Sequence, residues 1–347
     1  MRLGDRYIGL GEPPLIIAEL SGNHGGSLRR ALETVDAVAE AGADALKLQT
    51  YTADTMTLDL DSEHFRIRDS SSLWAGRHLH ELYSEAQTPW GWHEEIFARA
   101  AQVGLLAFSS PFDATAVDFL AGLNVPALKI ASSEITDLPL IRKASSSGLP
   151  LILSTGMATR DEIAAAVTAS KGAGCSELAL LWCTSAYPAP ADASRLRGIP
   201  DLRAWSGLEV GLSDHTLGTA VAVAAVALGA SIIEKHVTLD HELATVDGEF
   251  SLDPAGLAQL VRDTRTAWSA LGEVAYGPSD AEIGSLRFRR GLYFVRDLAA
   301  GARIGPEDVR SLRPAADLSP DAISEVFGRS VKVAVRRGDP VALNLLS

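Results

Sequence analysis

The chain has 347 residues, 47% hydrophobic and 22% charged, with a formal net charge of −13. That composition is expected of a soluble globular protein long enough for one large domain and one small one. The acidic balance argues against a nucleic-acid partner, and no uninterrupted apolar run reaches the roughly 18 residues of a membrane span.

The amino-terminal run MRLGDRYIGLGEPP has charges and glycines where a signal peptide would need an apolar core. The two cysteines, Cys175 and Cys183, form no redox or metal motif, so reduced thiols in the cytoplasm are expected. Apolar runs of strand length then recur at 15–19, 45–49, 105–109, 127–131, 151–155, 178–183, 210–213 and 231–236. Helical periods fall between them at 27–41, 89–103, 114–122, 138–147, 160–172 and 216–228, and 254–271 closes the series. The 178–210 connection, rich in Pro and Ala, reads as irregular. Runs this continuously apolar suit parallel strands covered on both faces, and eight such units in about 270 residues predict a (β/α)8 TIM barrel. A doubly wound open sheet is the alternative, but no GxGxxG follows the first run.

The connection at 51–88 is long for a compact domain, and its Trp, Tyr, Phe and Arg content favours an ordered lid or a subunit contact over a solvated loop with a short helix at 79–86. The pattern predicts a catalytic domain over 1–271, a linker at 272–285 and a small β-rich domain over 286–347. In the last, VRDLAAGARIGPEDV and VAVRRGDPVALNLL each read as strand, turn, strand.

Polar residues gather where the predicted strands end: Glu19, Gln49, Ser109, Ser132, Glu134, Ser154, Thr184, Ser185, Asp214, His215 and His236. Any one alone reads as a cap or turn residue, but in a barrel such ends converge on the face that carries active sites. A lone histidine there is more often a hydrogen-bonded structural residue. Two from adjacent strands, His215 and His236, favour a metal site. Two protein ligands with water and substrate completing the sphere suit Mn2+, Mg2+ or Co2+ as a Lewis acid. His24, just after the first strand, is a substrate or general acid/base candidate. Lys47 and Lys129 lie inside strands, and a buried lysine needs an anion or a special role. With Ser132, Ser154, Ser185 and Ser213 they make a cradle for phosphate and carboxylate, while Glu19 and Glu134 are acid/base candidates.

The runs IIAELSGNHGG, ADALKLQTYT, FSSPFD, ALKIASSEI, LILSTGMAT, CTSAYP, GLSDHTLG and IIEKHVTLD, followed by RSLRP, together resemble the sialic acid synthase family. SGNH, QTYTADTMTLD and TPWGWH resemble its pseudaminic acid synthase branch most. The resemblance implies a TIM barrel followed by an antifreeze-like (SAF, β-clip) domain. It also implies condensation of phosphoenolpyruvate with an acylamino sugar, 2,4-diacetamido-2,4,6-trideoxy-L-altrose in that branch, by metal-assisted C–O cleavage. An N-acetylmannosamine-type sugar is the alternative. Metal ligands then fall on His215 and His236, and phosphoenolpyruvate contacts on Lys47, Lys129, Ser132, Ser154, Ser185 and Ser213. Sugar contacts fall on Gln49, Tyr187 and Asp247, with Glu19 and Glu134 as acid/base or sugar-contacting carboxylates. Arg313 matches an arginine offered to the partner subunit's site, which implies a domain-swapped homodimer. Ala186 stands where sialic enzymes often have Asn, and TVDGE replaces their GGPD around Asp247. Two rival readings are a Schiff-base aldolase using Lys47 or Lys129, and a non-catalytic binding protein working through its small domain.

Overall fold

The apolar runs pair side by side in chain order and close into a parallel barrel. This computed structural model describes residues 1–70, 72–242 and 245–347. The barrel strands are β1 Leu15–Glu19, β2 Ala45–Thr50, β3 Leu106–Pro111, β4 Leu128–Ile130, β5 Leu151–Ser154, β6 Leu178–Cys183, β7 Glu209–Asp214 and β8 Ile232–His236. Strand β8 pairs back onto β1, with His236 opposite Glu19, and β1 places Glu19 opposite Lys47 of β2. Buried Leu, Ile, Val and Ala on these strands pack against the apolar faces of the surrounding helices. The fold is the expected TIM barrel.

Each barrel strand leads to an outer helix, with local causes legible at several ends. Ser27 and Asp113 cap Leu28–Glu40 and Ala114–Gly122 by accepting from free backbone N–H groups. Thr159 and Glu162 form a reciprocal capping box before Arg160–Gly172. The 178–210 connection was expected to be irregular, yet it holds the helix Gly198–Ser206, which buries Ile199 and Leu202 and ends on Gly207 at φ +67°. Pro200 is tolerated because it lies in the first turn, where a backbone N–H has no helical partner to lose. The helix expected over 216–228 is shorter, Ala220–Ala227. Its first turn is diverted: Asp214 accepts from the Thr216 N–H and hydroxyl, and Lys235 takes the Thr216 carbonyl.

The 51–88 segment carries the helices Ala53–Met56 and Leu79–Ala86, and the Trp74 indole donates to the Val246 carbonyl at 2.9 Å. No helix among the described residues is long and apolar enough to cross a membrane.

The chain divides into two units, Met1–Gly272 and Glu273–Ser347. In the second, a 3-10 helix Asp280–Phe288 begins inside the segment expected as a linker. Strands β9 Gly291–Phe294 and β10 Val309–Leu312 pair antiparallel over a small core that includes Leu292, Phe294, Ile304, Val331 and Val341. The later half of this unit pairs through single bridges, such as Leu298 with Val335 and Val331 with Leu346, rather than through a second hairpin.

Candidate active site

Strand alternation decides which side chains enter the carboxyl-terminal mouth of the barrel. On β8, Glu234 and His236 turn to one side and Lys235 to the other, because Glu234 meets Lys47, Lys129 and Ser213 whereas Lys235 meets Asp214. Sequence reading passed over Glu234. Counting back two residues from His236 places its carboxylate on the same face, and that is the signal that finds it.

The two strand lysines are ion-paired. Lys47 contacts the Glu19 carboxylate, lies 3.7 Å from Glu234 Oε1 and donates to the Ser110 hydroxyl at 3.2 Å. Lys129 donates to Glu234 Oε1 at 3.2 Å, and the Ser213 hydroxyl donates to the same oxygen at 3.2 Å. All four charged groups are buried. Burial pushes the Glu19 carboxyl above its ordinary pKa, with Lys47 pulling the other way. The anion that each buried lysine requires is supplied in part by the protein, through Glu19 and Glu234.

The hydroxyl groups remain well placed for an anion. The Ser154 hydroxyl is buried without a partner among the described residues, and the Gly156 amide donates to Ser132 Oγ at 3.1 Å. A Cβ at Gly156 would lie 2.2 Å from Ser185 Oγ and 2.7 Å from Ser132 Oγ, so only glycine lets the chain pass this close to both serines. Ser110, which the strand-end reading omitted in favour of Ser109, is the member of the FSSPFD run that reaches Lys47. Ser109 turns outward and bonds Thr50, itself bonded to His93 on the helix His93–Gln102. Strand β3 runs from Leu106 to Pro111 rather than over 105–109, and the next residue along takes the inward position.

Beside the lysines the two imidazole rings lie with centroids 5.4 Å apart. His215 Nδ1 donates to the Thr184 carbonyl at 3.0 Å, which leaves its Nε2 as the lone-pair nitrogen. Among the described residues His236 Nδ1 is buried with no hydrogen-bond partner, and Asp247 Oδ2 lies 3.6 Å from it. Burial holds His236 well below the ordinary histidine pKa, in the neutral form that binds a cation. Among the described residues no three His, Cys, Asp or Glu side chains are arranged to hold a metal. The pair thus fits a divalent cation that takes its remaining donors from water or substrate, as the orphaned His236 nitrogen indicates. Cys183, expected as a reduced thiol, lies 3.9 Å from His215 Nδ1. Burial works against its thiolate, but His215 brings the thiol down to about 7.

A cavity of about 340 Å3 opens over this floor, and Gln49, Glu134, Tyr187, His236 and Asp247 all line it. Tyr187 packs on His215 with ring centroids 4.4 Å apart. Gln49 Nε2 donates to Glu19 at 3.0 Å, and the Ser21 hydroxyl donates to Asp247. Glu134 keeps one buried carboxylate oxygen unpartnered, and burial pushes its pKa up to about 7. Arg313 belongs to the second unit, immediately after β10.

His24 is not in this group. It is fully buried, its Nδ1 accepts from the Gly26 amide at 3.1 Å, its Nε2 meets Thr88 Oγ1 at 3.3 Å, and Trp92 packs edge-on at 5.5 Å. Burial lowers its pKa to about 4. Offered by the sequence as a substrate or acid/base candidate, His24 has both ring nitrogens engaged and does not line the cavity described above.

Behind the histidines, Lys235 donates to Asp214 Oδ2 at 2.7 Å, and the two residues are direct cross-strand partners that each precede one imidazole. Both are buried. Lys235→Met should therefore destabilise the protein by about 3–5 kcal/mol, since a buried carboxylate loses its cation. Adding Asp214→Asn, which keeps an acceptor for Thr216, should recover more than half of the loss. Urea unfolding of the single and double variants checks this, and a single variant as stable as the parent would contradict it.

The NeuB family matches residues 34–276, and the SAF domain matches residues 289–347. A pseudaminic acid synthase of Campylobacter jejuni is 41% identical over 324 residues, which span 93% of this chain and 94% of the relative. An N,N'-diacetyllegionaminic acid synthase of Legionella pneumophila is 38% identical over 332 residues, 93% of this chain and 92% of the relative. The crystal structure of an N-acetylneuraminic acid (sialic acid) synthetase from Leptospira borgpetersenii superposes with a TM-score of 0.72 at 34% identity, covering 82% of this chain and 94% of that one.

Proposed function

This chain belongs to the NeuB family, and from that premise we propose that it condenses phosphoenolpyruvate with 2,4-diacetamido-2,4,6-trideoxy-L-altrose and water to give pseudaminic acid and phosphate. The observation that carries the reading is the juxtaposition at one barrel mouth of paired lysines, the unpartnered Ser154 hydroxyl and two imidazoles, one with an orphaned nitrogen. Relatives named pseudaminic acid synthase at 41% identity support the choice of sugar.

In this reading Lys47 and Lys129 take the phosphate and carboxylate of phosphoenolpyruvate, with Ser132, Ser154 and Ser185 donating hydrogen bonds and Ser213 turning its hydroxyl from Glu234 to do the same. Glu19 and Glu234 hold the two ammonium groups in place before the anion arrives. Gln49, Tyr187 and Asp247 orient the open-chain sugar. His215 and His236 would hold a divalent metal, Mn2+, Mg2+ or Co2+, which when bound supplies a Lewis acid beside the sugar aldehyde. C3 of phosphoenolpyruvate attacks the aldehyde carbon, which leaves C2 electron-poor. Water then adds at C2 and the C2–O bond to phosphate breaks. Glu134 is the group for the water's proton, because it lines the cavity and keeps an oxygen unpartnered among the described residues, while Glu19 is engaged by Lys47 and Gln49. The reading includes a cytoplasmic, domain-swapped homodimer in which Arg313 serves the partner subunit's site, supported by the match of RSLRP to that family feature.

Only the ionised Glu134 accepts a proton, so with its pKa at about 7 in the free protein, kcat/KM should rise with pH through neutrality and fall away below it. Glu134→Gln should remove that limb and lower kcat by about 10²–10⁴-fold. A pH series of phosphate release checks both.

The function itself is tested by mass spectrometry of the products from phosphoenolpyruvate with each candidate sugar. The altrose sugar should yield pseudaminic acid and one phosphate. No turnover with it, alongside turnover of N-acetylmannosamine or of the diacetamido sugar that leads to legionaminic acid, would overturn the proposal.

A further inference from the structure

The cavity has two unlike walls. One is the polar floor, with His236, Asp247, Gln49 and Glu134. The other is supplied by the 51–88 segment, which presents Met56, Ile67, Leu79 and Leu82 to the same space, with Tyr51 and Tyr83 at its edge, whose phenols interact with Asp247 and Glu134 of the floor. Leu79 and Leu82 lie three apart on the helix Leu79–Ala86 and so share a face. Met56 closes the helix Ala53–Met56. Ile67 exposes no spare backbone donor or acceptor, because its N–H donates to the Arg77 carbonyl at 3.0 Å and its carbonyl accepts from Gly76 at 2.8 Å. The Trp74 indole N–H, on the same wall, is already spent on Val246.

We propose that this aliphatic wall, Met56, Ile67, Leu79 and Leu82, is the specificity element that selects amino sugars lacking a hydroxyl at C6. The inference rests on the function proposed above. The aldehyde end of the sugar has to lie at His236 on the floor, so the far end of the carbon chain is carried toward the 51–88 wall. A C6 methyl there displaces water and meets only carbon and sulfur. A C6 hydroxyl loses its water and meets no partner among these four side chains, which penalises it in the bound state and the transition state alike. An apolar pocket discriminates against an added hydroxyl by about 10²-fold, and that sets the expected size of the effect.

The experiment compares two synthetic sugars, 2,4-diacetamido altroses with C6 as methyl or as hydroxymethyl, in phosphoenolpyruvate-dependent phosphate release by the full chain with Mn2+. The parent should favour the methyl sugar about 10²-fold in kcat/KM. Met56→Gln and Ile67→Thr, near-isosteric changes that put hydrogen-bonding atoms on the wall, should each shrink that ratio several-fold and together at least tenfold, with KM for phosphoenolpyruvate unmoved. Equal kcat/KM for the two sugars in the parent would overturn the inference while leaving the function in place. So would a large parental ratio that the double variant retains. Phosphate release with neither sugar, but with N-acetylmannosamine, would instead overturn the function on which it rests.

Discussion

The His236→Ala protein is expected to fold as the parent does and to release phosphate from phosphoenolpyruvate at least about 10³-fold more slowly. A Lewis acid at the aldehyde contributes several kcal/mol of charge stabilisation, and each 1.36 kcal/mol is tenfold in rate. His236 is the sharper of the two imidazoles as a test. Its Nδ1 has no protein hydrogen bond to lose, so removal of the ring takes away a cation donor rather than a structural link. His215, by contrast, also donates to Thr184 and would disturb the chain locally when replaced. Treating the parent with a chelator should reproduce the defect, and Mn2+ should restore the parent but not the variant. Binding of Mn2+, followed by its electron paramagnetic resonance signal, should weaken in the variant without reference to turnover. A folded His236→Ala protein with full phosphate release would falsify the metal reading.

Lys47→Met should lose both activity and stability. The ammonium stands against Glu19 and Glu234 at once, and both carboxylates are buried. Burial opposes its charge, but the two carboxylates more than offset that and hold its pKa above the ordinary lysine value. Leaving them without this cation should cost about 3–5 kcal/mol of stability. The dependence on pH has a definite sign. Uncompensated buried carboxylates take up protons more readily folded than unfolded, so the variant should regain stability as pH falls toward 5 and lose it as pH rises toward 8. Catalysis should fall about 10²–10³-fold in kcat/KM for phosphoenolpyruvate, since a charge-assisted contact to its anionic groups is gone. The same residue separates the rival chemistry. Borohydride added with substrates should leave the mass of the parent unchanged, whereas a Schiff-base aldolase would be trapped as a lysine adduct. Thermal melts across pH, steady-state phosphate release and intact-mass measurement cover these outcomes.

Much of this protein is legible along the chain. Continuous apolar runs separated by helical periods sufficed for a barrel of the right strand count and order. Polar residues placed at the ends of those runs led to Lys47, Lys129, Ser154, His215 and His236, because in this fold every strand delivers its carboxyl end to the same mouth. The capped helices and the break in texture near residue 272 also follow from local signals.

What the chain order could not decide is parity and partnership. Whether Ser109 or Ser110 enters the mouth depends on where β3 starts against its neighbours, and a shift of one residue exchanges the two faces. His24 lies in the right stretch but in a turn whose tertiary packing buries it, with the Gly26 amide and Thr88 at its two nitrogens. Which carboxylates the two lysines meet was not legible, because Glu19 reaches Lys47 across β1 and β2, and Glu234 reaches both lysines across the barrel from β8. Local pattern determined which residues are apolar enough to be covered and which polar ones terminate strands. Closure of the barrel decided which buried charges face each other, since a desolvated ion requires a partner and the strand register alone supplies it.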